Sequence, residues 1–194
     1  DTCVYAKPMQ GTTEASRIDF GSRNVLPDAY FGQLLNGLNV VLTQVDILII
    51  NQQFRCPLLT PDRITPLNDL IQQHPTICYV ADGRDIGQHL RNVTLKVNTA
   101  ELARFLNVAH HTHPDLDWCV RHGATLAKQI DGPVVVTRGE AGICYVTQQE
   151  HYVVDGLTLP GPLDTVGAGD TVVAALAATL PTDASPHQAL TIAN

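Results

Sequence analysis

Apolar and polar residues alternate along the chain in blocks that are typical of strands and helices following one another. Short, nearly continuous apolar runs over residues 45–50 and 77–80 predict two strands that are covered on both faces. Between them, residues 62–73 carry apolar side chains at helical spacing just after Pro61, which predicts a helix. This succession favours an α/β fold with a mostly parallel sheet.

The same alternation continues to the end of the chain. It predicts strands over residues 94–97 and 134–136, a hairpin over 143–146 and 152–154, a loop over 156–163, and helices over 99–106, 115–128 and 170–180. The last of these helices is almost entirely small or apolar, which indicates that it is buried. Two short strands over residues 4–7 and 16–20 precede the series. We therefore divide the chain into a small β segment, residues 1–25, and an α/β core, residues 26–194.

Composition and charge narrow the classes of function. Charged residues make up 16% of the 194 residues, against about 25% in typical domains. The net charge of −7 disfavours a nucleic-acid partner, which needs clustered positive charge. No apolar stretch reaches the length of about 20 residues that crosses a bilayer, so we expect no membrane partner. The five cysteines are scattered and form no C-x-x-C pair, which favours a reducing, cytoplasmic setting.

The segment with the clearest chemical signal is residues 164–170, Asp-Thr-Val-Gly-Ala-Gly-Asp, directly before the predicted buried helix. The backbone amides at a helix start lack intrahelical partners and, with the helix dipole, favour a bound anion by about 0.3–1 kcal/mol. Asp170 could accept a proton from a substrate hydroxyl while the amides of Gly167, Ala168 and Gly169 stabilise a transferred phosphoryl group. The alternative is a tight helix entry in which Asp170 is only an N-terminal acidic residue.

This string resembles the D-T-x-G-A-G-D signature of the ribokinase-like, phosphofructokinase-B type carbohydrate kinases. Residues 98–101, Asn-Thr-Ala-Glu, and residues 134–142 resemble two other family segments in the same order, the N-x-x-E motif and the nucleotide-side strand and turn. The resemblance implies a three-layer fold, with helices on both faces of a mostly parallel sheet and a β lid formed by residues 1–25. It covers the middle and later parts of the usual family sequence. Because the chain also starts at Asp1, we expect it to be incomplete at both ends.

The resemblance implies a reaction and its cofactors. The γ-phosphoryl group of ATP would pass in line to a sugar hydroxyl, with Asp170 as the base and the protein contributing mainly positioning and charge neutralisation. Family members often hold a monovalent cation beside this loop, which makes Asp164 a candidate ligand for K⁺.

The two other family motifs imply the contacts to nucleotide and metal. Asn98 and Glu101 would arrange Mg²⁺, partly through water, together with the phosphates. Thr137, Gly139 and Gly142 would lie along the phosphates and ribose of ATP. For Asn98 and Glu101 the alternative is a helix cap worth about 1 kcal/mol.

The substrate side of the resemblance comes from residues 16–20, which resemble the lid over the sugar, and from residues 81–85, Ala-Asp-Gly-Arg-Asp, predicted as a turn after a strand. Both look most like the heptose-7-phosphate kinase branch, whose D-P-K-like turn has its lysine where Arg84 stands here. Arg17, Asp82 and Arg84 are thus substrate candidates. The alternatives are a solvated Arg84 and an Arg17 that guards a strand edge.

The leading interpretation is an ATP-dependent sugar or sugar-phosphate kinase, with heptose 7-phosphate as one acceptor and a homodimer formed through the lid. Two alternatives stay open: a nucleoside or vitamin kinase of the same fold, and a non-catalytic nucleotide- or sugar-binding relative. Vitamin kinases usually alter the D-T-x-G-A-G-D string, which is intact here. A pure binder would not require Asp170 and Glu101.

Overall fold

The computed structural model describes residues 4–11, 13–21, 24–53, 58–110, 114–157 and 166–194. The strands are β1 (Val4–Ala6), β2 (Met9–Gln10), β3 (Thr13–Glu14), β4 (Ile18–Phe20), β5 (Ile47–Gln52), β6 (Cys78–Gly83), β7 (Thr94–Asn98), β8 (Val134–Thr137), β9 (Ile143–Val146) and β10 (His151–Val154). The helices are α1 (Asp28–Val41), α2 (Pro61–Gln73), α3 (Thr99–Leu106), α4 (Leu116–Ile130), α5 (Ala168–Thr179) and α6 (Pro186–Ala193).

A six-stranded sheet in the order β10-β9-β8-β7-β6-β5 forms the centre of the fold. Strands β5 to β8 are parallel, and β9 and β10 continue the sheet as an antiparallel hairpin. The predicted α/β fold with a mostly parallel sheet is therefore confirmed. Because the four parallel strands end at the same edge, that edge is where such folds place ligands.

Helices cover both faces of this sheet, since the strands are apolar on both sides. Val134 and Val136 of β8 pack in a core with α2, α3 and α4, whereas Val135 faces a second core that includes Leu176 of α5 and Leu190 of α6. Alternate residues of one strand thus serve opposite layers. The arrangement confirms the predicted three layers and places α5 against one face of the parallel strands.

Two helices, α1 and α6, were not predicted from the sequence. Helix α1 buries one face through Phe31 and the half-buried Leu35 and Leu38, but Gly32 and Gly37 dilute that pattern and weaken its helical signal. Helix α6 has eight residues and begins with a capping box in which Ser185 and Gln188 cap each other's backbone amides.

The turn predicted over residues 81–85 is wrong in its first three positions. Ala81, Asp82 and Gly83 belong to strand β6, where Asp82 pairs in register with Asn51 of β5. The turn itself begins at Arg84. The strand continues through an acidic residue because its backbone pairs with β5 and because Lys96 neutralises the carboxylate.

The N-terminal residues form two small sheets apart from the central one. Strand β1 pairs antiparallel with β4, as the two predicted N-terminal strands suggested, and β2 pairs with β3 in a hairpin that was not predicted. Of the loop predicted over residues 156–163, residues 158–163 lie outside the described ranges. No helix in the described ranges is both long enough and apolar enough to cross a membrane.

Candidate active site

A cavity of about 540 Å³ opens at the edge where the parallel strands end. The small β segment, the strand ends and the start of α5 all contribute to its wall. Its lining residues are Tyr5, Lys7, Arg17, Gln53, Asp82, Arg84, Lys96, Asn98, Glu101, Val166, Gly167, Gly169 and Asp170. The structure therefore brings together the lid, N-x-x-E and loop candidates that lie far apart in the sequence. We call this space the acceptor cavity.

A second cavity, of about 410 Å³, lies on the other side of the α5 start. It is lined by Thr137, Gly139, Gly142, Ile143, Ala168, Gly169, Thr171, Val172, Ala193 and Asn194. We call it the nucleotide cavity, because it gathers the candidates predicted to contact ATP. Gly169 lines both cavities. The first turn of α5 is thus the place where the two spaces meet.

The loop before α5 has the geometry of an anion site. Gly167 caps the helix with φ of 82°, a left-handed conformation that favours glycine. The amide of Thr171 makes the first bond of the helix, to the Gly167 carbonyl at 2.9 Å. The amides of Ala168, Gly169 and Asp170 precede that bond, so they have no intrahelical acceptor and lie at the positive end of the helix dipole.

Asp170 is exposed in the first turn of α5 and lines the acceptor cavity. Within the described ranges, its carboxylate takes part in no hydrogen bond or ion pair. A carboxylate that no protein donor occupies can accept a proton from a substrate hydroxyl held within hydrogen-bond distance.

Asn98 and Glu101 form the helix cap that was the alternative interpretation of the N-x-x-E motif. The Asn98 side chain accepts a hydrogen bond from the Glu101 amide at 2.8 Å, and the Glu101 carboxylate accepts one from the Asn98 amide at 2.9 Å. Both residues also line the acceptor cavity, so the cap leaves them available to a ligand. The described residues contain no group of three His, Cys, Asp or Glu side chains that could hold a metal ion.

On the nucleotide side, Thr137 is in register with Asn98 on the neighbouring strand, which joins the two motifs at the sheet edge. Gly139 has φ of 59° and open space around its α-carbon. Gly142 is buried, with φ of 91°, and a β-carbon there would lie 2.1 Å from the carbonyl oxygen of Val154. Gly142 is therefore required by the backbone packing of the β9–β10 hairpin, whatever it contributes to the nucleotide cavity.

Three cationic side chains from outside the central sheet reach the acceptor cavity. Arg17 makes a two-point contact with the Asp19 carboxylate, at 2.7 and 2.9 Å, and its guanidinium lies 4.5 Å from the centre of the Tyr5 ring. Lys7 pairs with a carboxylate of the neighbouring hairpin at 2.9 Å. Arg84 is exposed, and in the described part of the chain no carboxylate pairs with its guanidinium.

Lys96 was missed by the sequence analysis. Its ammonium lies 3.1 Å from the Asp82 carboxylate, and only 8% and 5% of the two side chains are exposed. Asp82, predicted to contact substrate, also lines this cavity, and its carboxylate pairs with Lys96 there. The available signal was a lysine in the middle of β7, between Leu95 and Val97, which are both fully buried. Asp164, the K⁺ candidate, lies outside the described residues.

A third, apolar cavity of about 210 Å³ lies between α1 and β5 and has no titratable side chain in its wall. It is therefore a packing feature of that edge, without groups that could act as an acid, a base or a charged ligand.

Comparison of the sequence with protein families finds one match: the model of the pfkB family carbohydrate kinases matches residues 67–194. The matched part includes the N-x-x-E motif, the nucleotide-side turn and the loop before α5. No curated protein sequence matches the chain significantly.

Solved structures with the same fold include several kinases. Phosphofructokinase-2 from Escherichia coli in complex with fructose-6-phosphate superposes with a TM-score of 0.65 at 20% identity, over 90% of this chain and 57% of that one. A putative phosphofructokinase from Staphylococcus aureus gives 0.69 at 18% identity, over 98% and 60%. Pyridoxal kinase from Lactobacillus plantarum gives 0.65 at 17%, over 99% and 72%. The chain thus spans less than two thirds of the length of the phosphofructokinases it resembles.

Proposed function

Since its sequence matches the family model over residues 67–194, the chain belongs to the pfkB family of carbohydrate kinases, and we propose that it takes part in transfer of the γ-phosphoryl group of ATP to a hydroxyl group of a phosphorylated sugar. The observation that carries the proposal is the meeting of two cavities at Gly169, with Asp170 on the acceptor side. A phosphoryl group crossing from one cavity to the other would pass the amides of the first α5 turn.

In this proposal each part of the loop has one task. The amides of Ala168 and Gly169 stabilise the charge of the phosphoryl group as it moves, because they have no intrahelical acceptor. Asp170 accepts the proton of the attacking hydroxyl, whose oxygen forms the new bond to phosphorus while the bond to ADP breaks. The two cavities hold donor and acceptor in line, which removes most of the entropic cost of bringing them together.

The residues present also fit the cofactors of a kinase. Thr137, Gly139 and Gly142 line the cavity that would hold ATP, next to the amides that favour its phosphates. Asn98 and Glu101 supply the amide oxygen and carboxylate that Mg²⁺ prefers, with water and phosphate completing its ligands. Bound Mg²⁺ would neutralise phosphate charge. For K⁺ the support is the sequence resemblance at Asp164, together with a structure of E. coli phosphofructokinase-2 in complex with potassium.

A phosphorylated acceptor is favoured by the charge of the acceptor cavity. Lys7, Arg17 and Arg84 all line it, and Arg84 has no carboxylate partner among the described residues. A phosphate group on the acceptor would supply that partner through a charge-assisted contact. Within this class we propose heptose 7-phosphate as the first acceptor to test, on the resemblance of residues 16–20 and 81–85 to that branch, with Asp82 acting through Lys96.

A vitamin kinase is the second candidate, because pyridoxal kinase from L. plantarum shares the fold. Pyridoxal carries no phosphate for Arg84 to bind, so the cationic wall of the acceptor cavity favours the first candidate over a pyridoxal kinase.

The deciding experiment measures ADP formation by the complete protein with MgATP and a panel of acceptors: heptose 7-phosphate, fructose 6-phosphate, the unphosphorylated sugars, nucleosides and pyridoxal. We expect turnover with a sugar phosphate and loss of that turnover in Asp170→Asn. Turnover restricted to pyridoxal or nucleosides would assign the second candidate's class of acceptor instead. ATP binding without turnover on any acceptor would identify a non-catalytic relative.

We also propose that residues 1–25 act as a lid over the acceptor cavity and as the contact of a homodimer. Tyr5, Lys7 and Arg17 line that cavity, while Met9 and Phe20 are each 56% exposed. Light scattering on the complete protein tests this, with Phe20→Ser expected to shift dimer to monomer and Val40→Ser, an exposed change on α1, expected to leave the mass unchanged.

A further inference from the structure

Lys96 is a charged residue at a position that a parallel sheet normally fills with an apolar side chain. Its ion pair with Asp82 is almost completely buried. Removing two charges from water costs several kcal/mol per ion, so a buried pair seldom stabilises a fold more than well-packed apolar residues would. The stability of the sheet therefore does not account for this pair.

The position of the ammonium relative to α5 points to a function. A β-carbon placed on Gly169 would lie 3.0 Å from the Lys96 Nζ. The absence of a side chain at Gly169 thus lets the ammonium lie directly against the first turn of α5. That turn carries the three amides without intrahelical acceptors, so two kinds of positive group converge on one point of the acceptor cavity.

The hydrogen-bonding capacity of Lys96 is only partly used. An ammonium has three N–H donors, and within the described ranges the Asp82 Oδ2 is the one acceptor that contacts the Lys96 Nζ. Lys96 also lines the acceptor cavity. Its remaining donors can therefore reach an oxygen atom of a group held at the α5 amides.

We propose that Lys96 is a catalytic residue that donates a hydrogen bond to an oxygen of the phosphoryl group during its transfer, and that Asp82 is a positioning residue that holds the ammonium against Gly169. This inference rests on the proposed function. Lys96 remains protonated throughout the step: the bond from phosphorus to ADP breaks, the bond to the acceptor oxygen forms, and the hydroxyl proton goes to Asp170. The stabilisation is greatest when the charge of the moving group is spread over its outer oxygens.

The test uses binding of a phosphoryl mimic by the complete protein, so that it does not depend on knowing the acceptor. Isothermal titration calorimetry would compare MgADP alone with MgADP plus aluminium fluoride, which mimics the phosphoryl group in flight. We expect aluminium fluoride to tighten MgADP binding by the wild type. In Lys96→Met this tightening falls by about 100-fold, the cost typical of losing one donor to such a group, with binding of MgADP alone unchanged.

Three further variants separate this role from a structural one. Lys96→Arg keeps a charged donor and should restore part of the tightening, and Asp82→Asn should reduce it by loosening the ammonium. Lys128→Met removes an exposed lysine of α4 and should change nothing. Thermal unfolding would verify that each variant is folded. If Lys96→Met fails to fold, the wild type is compared with Lys96→Arg, which keeps the charge pair.

Each outcome bears on one proposal. Three results would overturn the role of Lys96. The first is that aluminium fluoride tightens MgADP binding as strongly in Lys96→Met as in the wild type. The second is that Lys96→Met weakens MgADP binding equally with and without aluminium fluoride, and the third is that the wild type shows no tightening. If the tightening depends on Lys96 but the wild type phosphorylates no sugar, the role of Lys96 is supported and the proposed acceptor class is contradicted.

Discussion

The Glu101 carboxylate accepts a hydrogen bond from the backbone amide of Asn98 at 2.9 Å, while the Asn98 side chain accepts one from the Glu101 amide at 2.8 Å. These two residues thus begin helix α3 and at the same time line the acceptor cavity. A change to alanine at either position would mix a loss of helix stability with a loss of ligand binding. Variants must therefore be chosen to preserve one of the two roles.

We predict that Glu101→Gln keeps the fold and weakens the reaction. Glutamine can accept the same hydrogen bond in a capping box, so the free energy of unfolding should change by less than about 0.5 kcal/mol. The lost charge should lower kcat and raise the Mg²⁺ concentration needed for half-maximal rate. Asn98→Ala is the contrasting variant and should lose about 1 kcal/mol of stability with the cap. If Glu101→Gln had wild-type kinetics at every Mg²⁺ concentration, Glu101 would serve only to cap helix α3.

We predict that Asp170→Asn abolishes transfer without preventing nucleotide binding. The variant keeps the size and the backbone amides of the α5 turn but removes the proton acceptor, and general bases contribute about 10²–10⁴ to the rate. Single-turnover measurements with ATP and a sugar phosphate would detect the loss, and calorimetry would show retained ATP binding. The matched control is Asp183→Asn, an exposed carboxylate beyond α5. Near-native turnover in Asp170→Asn would exclude it as the base.

The two glycines of the nucleotide-side turn should respond differently to alanine. Gly142→Ala should destabilise the protein by about 3 kcal/mol, because it combines a strained φ with a β-carbon in contact with backbone atoms. Gly139→Ala meets open space and should cost about 1 kcal/mol from its positive φ. Urea unfolding would measure both. If both variants lost the same free energy of unfolding, the close approach of Gly142 to the β9–β10 hairpin would not contribute to the stability of the protein.

Local signals explain which parts of the fold could be predicted. Apolar runs and helix caps lie within a few residues of the elements they determine, so strands β5 to β10 and helices α2 to α5 were predicted within a few residues of their ends. The Asp115 cap of α4, whose side chain accepts a hydrogen bond from the Trp118 amide at 2.7 Å, is an example. Of the two unpredicted helices, α1 has an apolar pattern diluted by Gly32 and Gly37, whereas α6 was missed although Ser185 and Gln188 form a local capping signal.

Contacts between distant residues explain what could not be predicted. The end of β6 depends on its register with β5, and the burial of Asp82 depends on Lys96, which lies on the next strand. The place of Lys96 in the site depends in turn on the missing side chain at Gly169. A charged residue inside an apolar strand could have marked Lys96 as unusual, but only the packing of α5 on the sheet shows what it faces.

A pH dependence follows from the buried thiol of Cys144. Burial, with a smaller contribution from Cys119, raises the pKa of Cys144 to about 12. In the unfolded chain a thiol ionises near pH 8.5. Below that pH the thiol is protonated in both states, and the fold keeps its full stability. As the pH rises towards 12, the thiol ionises in the unfolded chain but not in the folded one, so the free energy of unfolding falls. Urea unfolding should show a larger loss of stability between pH 7.5 and 9.5 in the wild type than in Cys144→Ala. Parallel losses would contradict the raised pKa.

Arg84 offers the sharpest test of the acceptor class, because it lines the acceptor cavity and its guanidinium has no carboxylate partner in the described ranges. Charged hydrogen bonds are worth about 1.5–3 kcal/mol, so Arg84→Gln should raise the KM for a sugar phosphate by about 10- to 100-fold. The KM for ATP and the kcat should stay close to wild type, since Arg84 does not line the nucleotide cavity. Arg121→Gln, an exposed change on α4, is the control. If Arg84→Gln raised the KM of the unphosphorylated sugar equally, Arg84 would contact the sugar itself, and the case for a phosphorylated acceptor would lose its main support.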